Sequence, residues 1–113
     1  KLNVSGAFHS PFMNEPSSKF CEYLKKIKFN NPSFPVISNY EPSLCSDPNE
    51  LKIRLEKQMC NGVRWRETMD LMAKDSDLHI VEIGPSNVLS GLGKRHLKDV
   101  KISQVSSSDQ ISY

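Results

Sequence analysis

Leu78-His79-Ile80-Val81-Glu82-Ile83-Gly84-Pro85-Ser86-Asn87-Val88-Leu89 is the stretch on which the fold turns. Leu78 to Ile83 is a short apolar run rich in β-branched residues and bounded by Gly84-Pro85, which reads as a strand ending in a turn. Ser86 then stands where a helix cap is needed, and Val88, Leu89 and Leu92 make one apolar helical face. Val100 and Ile102 mark a further strand. Strand, helix and strand in succession are the signature of a parallel pair joined by a crossover helix. The predicted class is α/β, with mostly parallel strands and flanking helices.

Reading back toward the start extends the alternation. Trp65, Met69 and Met72 mark a helix after the break at Asn61-Gly62. Asp47-Pro48-Asn49-Glu50 opens another, with Asp47 as cap, Pro48 in the first position and Glu50 returning a capping-box bond. Leu51, Leu55 and Met59 are its expected buried face. Pro35-Val36-Ile37-Ser38 reads as a short buried strand. Asn14 is placed to cap a helix with Glu15 and Pro16 in its first turn, and Phe20, Leu24 and Ile27 form its stripe to about Lys28. Lys1 to Phe8, with Leu2 and Val4 alternating before Gly6, reads as a strand running into a tight turn. Residues 1–105 are expected to form one structural segment, and 106–113 a Ser-rich, disordered tail.

Composition narrows the function. The 113 residues suit one small domain or part of one. Fifteen Lys and Arg against 13 Asp and Glu leave a net charge of +2, which gives no electrostatic case for nucleic acid or an acidic membrane. No apolar run approaches the length of a membrane span. Cys21, Cys45 and Cys60 are an odd set without the two-residue gap of a zinc knuckle or a redox pair, so they read as small hydrophobes in a reducing compartment. With Lys1 in first place and no signal-like segment, the chain is expected to be a piece of a longer protein.

His9 is the leading candidate for chemistry. It follows the strand and glycine turn in Val4-Ser5-Gly6-Ala7-Phe8-His9-Ser10-Pro11-Phe12-Met13, and the carboxyl ends of strands are where α/β folds meet their ligands. Imidazole suits general acid–base work; a hydrogen-bonded structural histidine is the alternative reading. His79, inside a strand, and His96, at a helix end, read as structural. Ser86 lacks the G-x-S-x-G context of a nucleophile and reads as a cap, while Ser10 is expected to point away from its neighbour His9. The glycines are too sparse for a nucleotide-binding loop. Lys94, Arg95 and Lys98 read as a solvated helix end, with an acidic partner as the alternative.

The histidine segment resembles that of malonyl-CoA:acyl carrier protein transacylases. Three later blocks resemble the same family in the same order: Pro35-Val36-Ile37-Ser38-Asn39, Gln58-Met59-Cys60-Asn61-Gly62-Val63-Arg64-Trp65, and Glu82 to Leu92. The resemblance implies the C-terminal part of an α/β-hydrolase-like acyltransferase domain. It implies ping-pong transfer of malonyl from coenzyme A to a serine, then to the phosphopantetheine thiol of acyl carrier protein in type II fatty acid synthesis. His9 matches the family's catalytic histidine, and Gln58 matches the residue whose backbone carbonyl orients it. Phe8 matches a position where a ring accompanies malonyl selection. The serine motif, the oxyanion-hole glutamine and the carboxylate-binding arginine are absent from these residues, so the 113 residues alone are expected to be inactive. Asn61-Gly62 stands where the family usually has Asn-Pro, and Ser86-Asn87 where it commonly has Gly-Lys.

The implied partners are malonyl-CoA and acyl carrier protein, without nucleic acid, membrane or metal. Coenzyme A enters only as the substrate's thioester, and no cofactor is held permanently. The whole protein is expected to be a monomer, cytoplasmic in a bacterium or plastid or mitochondrial in a eukaryote, with a plastid-type organelle favoured. The rival readings are an acyltransferase domain of a polyketide or multifunctional synthase and a non-catalytic α/β binding module.

Overall fold

The computed structural model describes residues 6–111, in a chain that divides into two compact units, Lys1–Thr68 and Met69–Tyr113. The strand expected around Leu2 and Val4 lies outside the described residues.

In the first unit a 3-10 turn at Pro11–Met13 runs into α1 (Asn14–Lys25), and α2 (Pro48–Gln58) packs on α1. Asn14 is the first helical residue and not the cap, because the 3-10 turn has already wound the chain before it. Leu24 is buried, and Lys52 Nζ donates to the Ile27 carbonyl at 2.6 Å. The strand expected at Pro35–Ser38 reduces to one antiparallel bridge between Val36 and Cys45. Pro32, Pro35 and Pro42 crowd this segment, and a proline has no N–H to give a sheet ladder.

Asp47 caps α2 as expected, accepting from the Glu50 N–H at 2.7 Å. The return bond is not made, because Glu50 Oε1 accepts from Arg54 Nε at 3.0 Å. Arg54 also displaces the expected buried face: it is the buried residue of α2, while Leu55 is exposed. Its guanidinium donates to the Ser43 carbonyl at 2.9 Å, the Ser43 hydroxyl at 3.0 Å and the Glu41 carbonyl at 3.3 Å. A buried cation needs such partners, and these fasten the 41–43 loop to the helix.

The boundary between the units falls within α3 (Trp65–Met72), where Met69 is 2% exposed. The second unit is a strand–helix–strand unit: β1 (His79–Ile83), α4 (Val88–His96) and β2 (Lys101–Val105). The strands are parallel, with His79 opposite Lys101 and Ile83 opposite Val105. Asp99 turns the chain between α4 and β2 with a φ of 60°, a left-handed conformation that aspartate tolerates.

The expected apolar face of α4 is not its packed face. Val88, Leu89 and Leu92 are exposed, while Ser90 and Gly93 are buried. Small residues let the helix approach the sheet closely: a Cβ on Gly93 would lie 3.1 Å from Ile102 Cδ1. β1 shows a similar inversion, with Glu82 buried and Ile83 83% exposed. In the segment expected to be a disordered tail, Ser108–Gln110 forms a 3-10 turn, and Gln110 Oε1 accepts from the Ser106 N–H at 2.7 Å. Among the described residues no helix is long and apolar enough to cross a membrane.

Candidate active site

The last four carbonyls of an α-helix have no partner within it. At the end of α2 this leaves acceptors for two side chains, His9 and Asn61. The His9 N–H donates to the Met59 carbonyl at 2.9 Å, and its ring Nδ1 lies 3.0 Å from the Gln58 carbonyl and 3.2 Å from that of Asn61. The structure therefore brings His9 and Gln58 together, through the backbone oxygen of Gln58.

The approach depends on a strained turn. His9 has a φ of 64°, left-handed backbone that costs a side-chain-bearing residue energy. Closing bonds hold it: Ser10 Oγ donates to the Ala7 carbonyl at 2.6 Å, and the Met13 N–H donates to the Ser10 carbonyl at 3.1 Å. Ser10 is thus occupied with the turn rather than with the His9 ring.

Two carbonyl acceptors at Nδ1 decide the tautomer. An oxygen with only lone pairs requires a proton on the nitrogen it faces, so Nδ1 carries a hydrogen, and in the neutral ring the lone pair is therefore on Nε2. His9 is exposed, and Nε2 has no hydrogen-bond partner among the described residues. The ring is thus oriented at one nitrogen and open at the other, the arrangement a general base requires.

Phe8 is 57% exposed, and its ring folds back over Gly6, where a Cβ would lie 3.1 Å from Phe8 Cε2. The missing side chain at Gly6 gives the ring its place. Gln58 also lines an apolar hollow of ≈ 400 Å³ with Phe29, Val36, Leu51 and Leu55. Asn61 borders a polar hollow of ≈ 350 Å³ with Tyr40, Glu41, Arg64 and Glu67.

The other candidates have structural partners. His79 Nε2 lies 3.0 Å from Ser103 Oγ, and His96 Nε2 lies 2.7 Å from Asp70 Oδ1. Ser86 does not cap α4; the cap position belongs to Asn87, which makes no side-chain cap bond. The helix's free N–H groups turn to Glu82 instead, with Ser90 N donating to Oε2 at 2.8 Å and Leu89 N to Oε1 at 3.2 Å. Glu82 is held below the ordinary glutamate range, first by the adjacent Ser90 hydroxyl, and by the Ser90 and Leu89 N–H groups, against the opposing effect of burial. Ser90 Oγ itself completes no hydrogen bond, so the Ser90 and Leu89 N–H groups are the donors that anchor the carboxylate.

Neither Glu82 nor Asn61 has a site role that the sequence alone suggests, although Asn61-Gly62 departs from the family's Asn-Pro. An acid inside an otherwise apolar strand, just before Gly84-Pro85, was the available signal for Glu82. Among the described residues no three His, Cys, Asp or Glu side chains gather into a metal-binding group.

No family model matches the chain. It is 40% identical over 111 residues to a malonyl CoA-acyl carrier protein transacylase of Synechocystis, covering 98% of this chain and 38% of the relative. It is 39% identical to a polyketide biosynthesis malonyl CoA-acyl carrier protein transacylase of Bacillus subtilis, covering 88% of this chain and 34% of the relative. The crystal structure of Synechocystis malonyl-CoA:ACP transacylase superposes with a TM-score of 0.88 at 42% identity, over 96% of this chain and 37% of that one. A malonyl-transacylase in complex with a type II polyketide acyl-carrier protein superposes with a TM-score of 0.86 at 30% identity, over 96% of this chain and 35% of that one. The chain spans under two fifths of the length of these relatives.

Proposed function

This chain is homologous over nearly its whole length to the C-terminal part of malonyl CoA-acyl carrier protein transacylases, and from that premise we propose that the protein moves a malonyl group from coenzyme A to the phosphopantetheine thiol of an acyl carrier protein, with His9 as its acid–base residue. The observation that carries this reading is the His9 ring, gripped at Nδ1 by the Gln58 carbonyl and open at Nε2.

In this mechanism the nucleophile is a serine in the part of the relatives' length that these residues do not cover. Nε2 takes the hydroxyl proton as the serine oxygen attacks the thioester carbonyl. The tetrahedral adduct collapses to the malonyl ester, and the coenzyme A thiolate leaves with the proton from Nε2. The second half repeats these roles, with the phosphopantetheine thiol giving its proton to Nε2 as its sulfur attacks the ester. The Gln58 and Asn61 carbonyls keep the ring in one orientation, the task a carboxylate performs in a Ser-His-Asp triad. Phe8 stands beside the acyl group and selects malonyl by leaving no room for an α-methyl branch, a discrimination of about 1–3 kcal/mol.

Type II fatty acid synthesis is the favoured pathway. A polyketide pathway is the second reading, because a polyketide transacylase of Bacillus subtilis is 39% identical to the chain. The test is malonyl transfer by the complete protein that carries these residues, with labelled malonyl-CoA and purified carrier proteins of both pathways. His9→Ala is expected to lower kcat/KM by about 10²–10⁴-fold with an unchanged circular dichroism spectrum. Full activity in that variant overturns the assignment of His9. A folded wild-type protein that binds carrier protein without transferring malonyl is a binding module.

A further inference from the structure

We infer that the Asn61 carboxamide is a positioning residue for His9, because it holds the turn that aims a second carbonyl at the ring. Two peptide oxygens three residues apart converge on one nitrogen, that of Gln58 at 3.0 Å and that of Asn61 at 3.2 Å. Gln58 is the last residue of α2, so the helix itself places its carbonyl. Asn61 lies beyond the helix, and its backbone must be placed by something else.

Its own side chain does so. Asn61 Nδ2 donates to the Lys57 carbonyl at 2.7 Å, folding residue 61 back onto the end of α2. The backbone bond across the same turn, from the Cys60 N–H to the Lys57 carbonyl, is longer at 3.3 Å. On the far side open space surrounds Gly62, and the next backbone tether comes three residues after Asn61, where the Arg64 N–H donates to the Asn39 carbonyl at 2.9 Å. Asn61 is exposed, so core packing does not explain where its backbone sits. With the carboxamide bond broken, Gln58 is left as the one oriented acceptor, and the Nδ1–H tautomer loses part of its preference over Nε2–H. The Nε2–H tautomer has its lone pair on the wrong side of the ring to act as base.

The kinetic consequence rests on the acyl-transfer reading, but the tautomer does not, and the experiment separates them. In the complete protein with ¹⁵N-labelled histidine, long-range ¹H–¹⁵N spectra are expected to show His9 protonated at Nδ1. Asn61→Ala, and the same-sized Asn61→Asp, which has no N–H to donate, are each expected to raise the Nε2–H population severalfold. They should also lower kcat for malonyl transfer about tenfold, the worth of roughly one hydrogen bond, with KM for malonyl-CoA changed less than about twofold.

A residue that merely caps α2 would lower stability and leave the tautomer alone; an unchanged His9 spectrum in both variants therefore overturns the inference, whatever happens to the melting temperature. Should neither variant fold, wild-type Asn61 carboxamide protons exchanging at the rate of a free amide overturn it, and protected ones support it. Absence of malonyl transfer in the wild type would end the acyl-transfer reading while leaving the tautomer result to decide the role of Asn61.

Discussion

At the carboxyl end of α2, unpaired carbonyls accept from an exposed histidine; at the amino end of α4, unpaired N–H groups are taken up by the buried carboxylate of Glu82. Both ends face the same demand, that backbone groups left over by a helix find partners. The partners differ in what they can do afterwards. In the proposed mechanism His9 takes and releases a proton at Nε2 while its Nδ1–H bonds stay in place. Glu82 accepts from two N–H groups and, at 3.5 Å, from the Ser86 hydroxyl, and is held ionised, so its bonds serve structure. The carboxyl end of a parallel strand followed by a helix start is where α/β folds commonly receive ligands. In this second unit the protein's own carboxylate fills it.

The contrast can be broken most strongly at Glu82. Glu82→Ala removes the acceptor of both the Leu89 and Ser90 N–H groups. A buried backbone N–H left without a partner costs about 1–3 kcal/mol, so this variant is expected to show the largest fall in urea midpoint, and Glu82→Gln a smaller one. An unchanged midpoint in Glu82→Ala would mean that water serves these N–H groups equally well.

A pH titration tests the same carboxylate more gently. Its folded-state pKa is lowered, so the stability it contributes is fully present above the ordinary glutamate range and is lost as pH falls through the folded value. The wild-type denaturation midpoint is expected to drop with acidification below about pH 4.3, and that of Glu82→Gln to drop less. Parallel curves would assign the acid sensitivity to other carboxylates.

The smallest effect is expected at Asp47, which sharpens the contrast by testing a helix start capped from the adjacent residue. Asp47→Ala removes the bond to the Glu50 N–H and should cost about 0.5–2 kcal/mol of stability. Because the residue sits at the opposite end of α2 from His9, the complete protein's kcat for the proposed malonyl transfer should be unchanged. A matching loss of activity would show that the whole helix, and not only its last turn, governs the histidine.

These residues also divide what could be read in advance from what could not. The Asp47 cap was legible because a cap needs only a side-chain oxygen and an N–H three residues on. The strand–helix–strand order was legible because apolar runs and Gly-Pro punctuation are local signals. The pairing of His9 with Gln58 followed from family resemblance, since residues 49 apart carry no mutual signal in a single sequence. Arg54 was missed because its partners, at Glu41 and Ser43, lie across a loop of irregular structure. Periodicity did not show that α4 meets β2 through Gly93, set against Ile102; it marked Val88, Leu89 and Leu92, which stay exposed among residues that span under two fifths of the relatives' length.

The sequence by itself therefore determined the α/β class, the helix starts and the presence of one histidine at a glycine turn, all consequences of spacing over a few residues. Tertiary structure alone decided which nitrogen of His9 is held, that Asn61 supplies a second carbonyl to it, and that Glu82 closes the start of α4. Each of these depends on where a backbone oxygen or N–H points at a helix terminus; for His9 that is set by residues 49 and 52 positions away, and for Glu82 by the turn that folds the start of α4 back over β1.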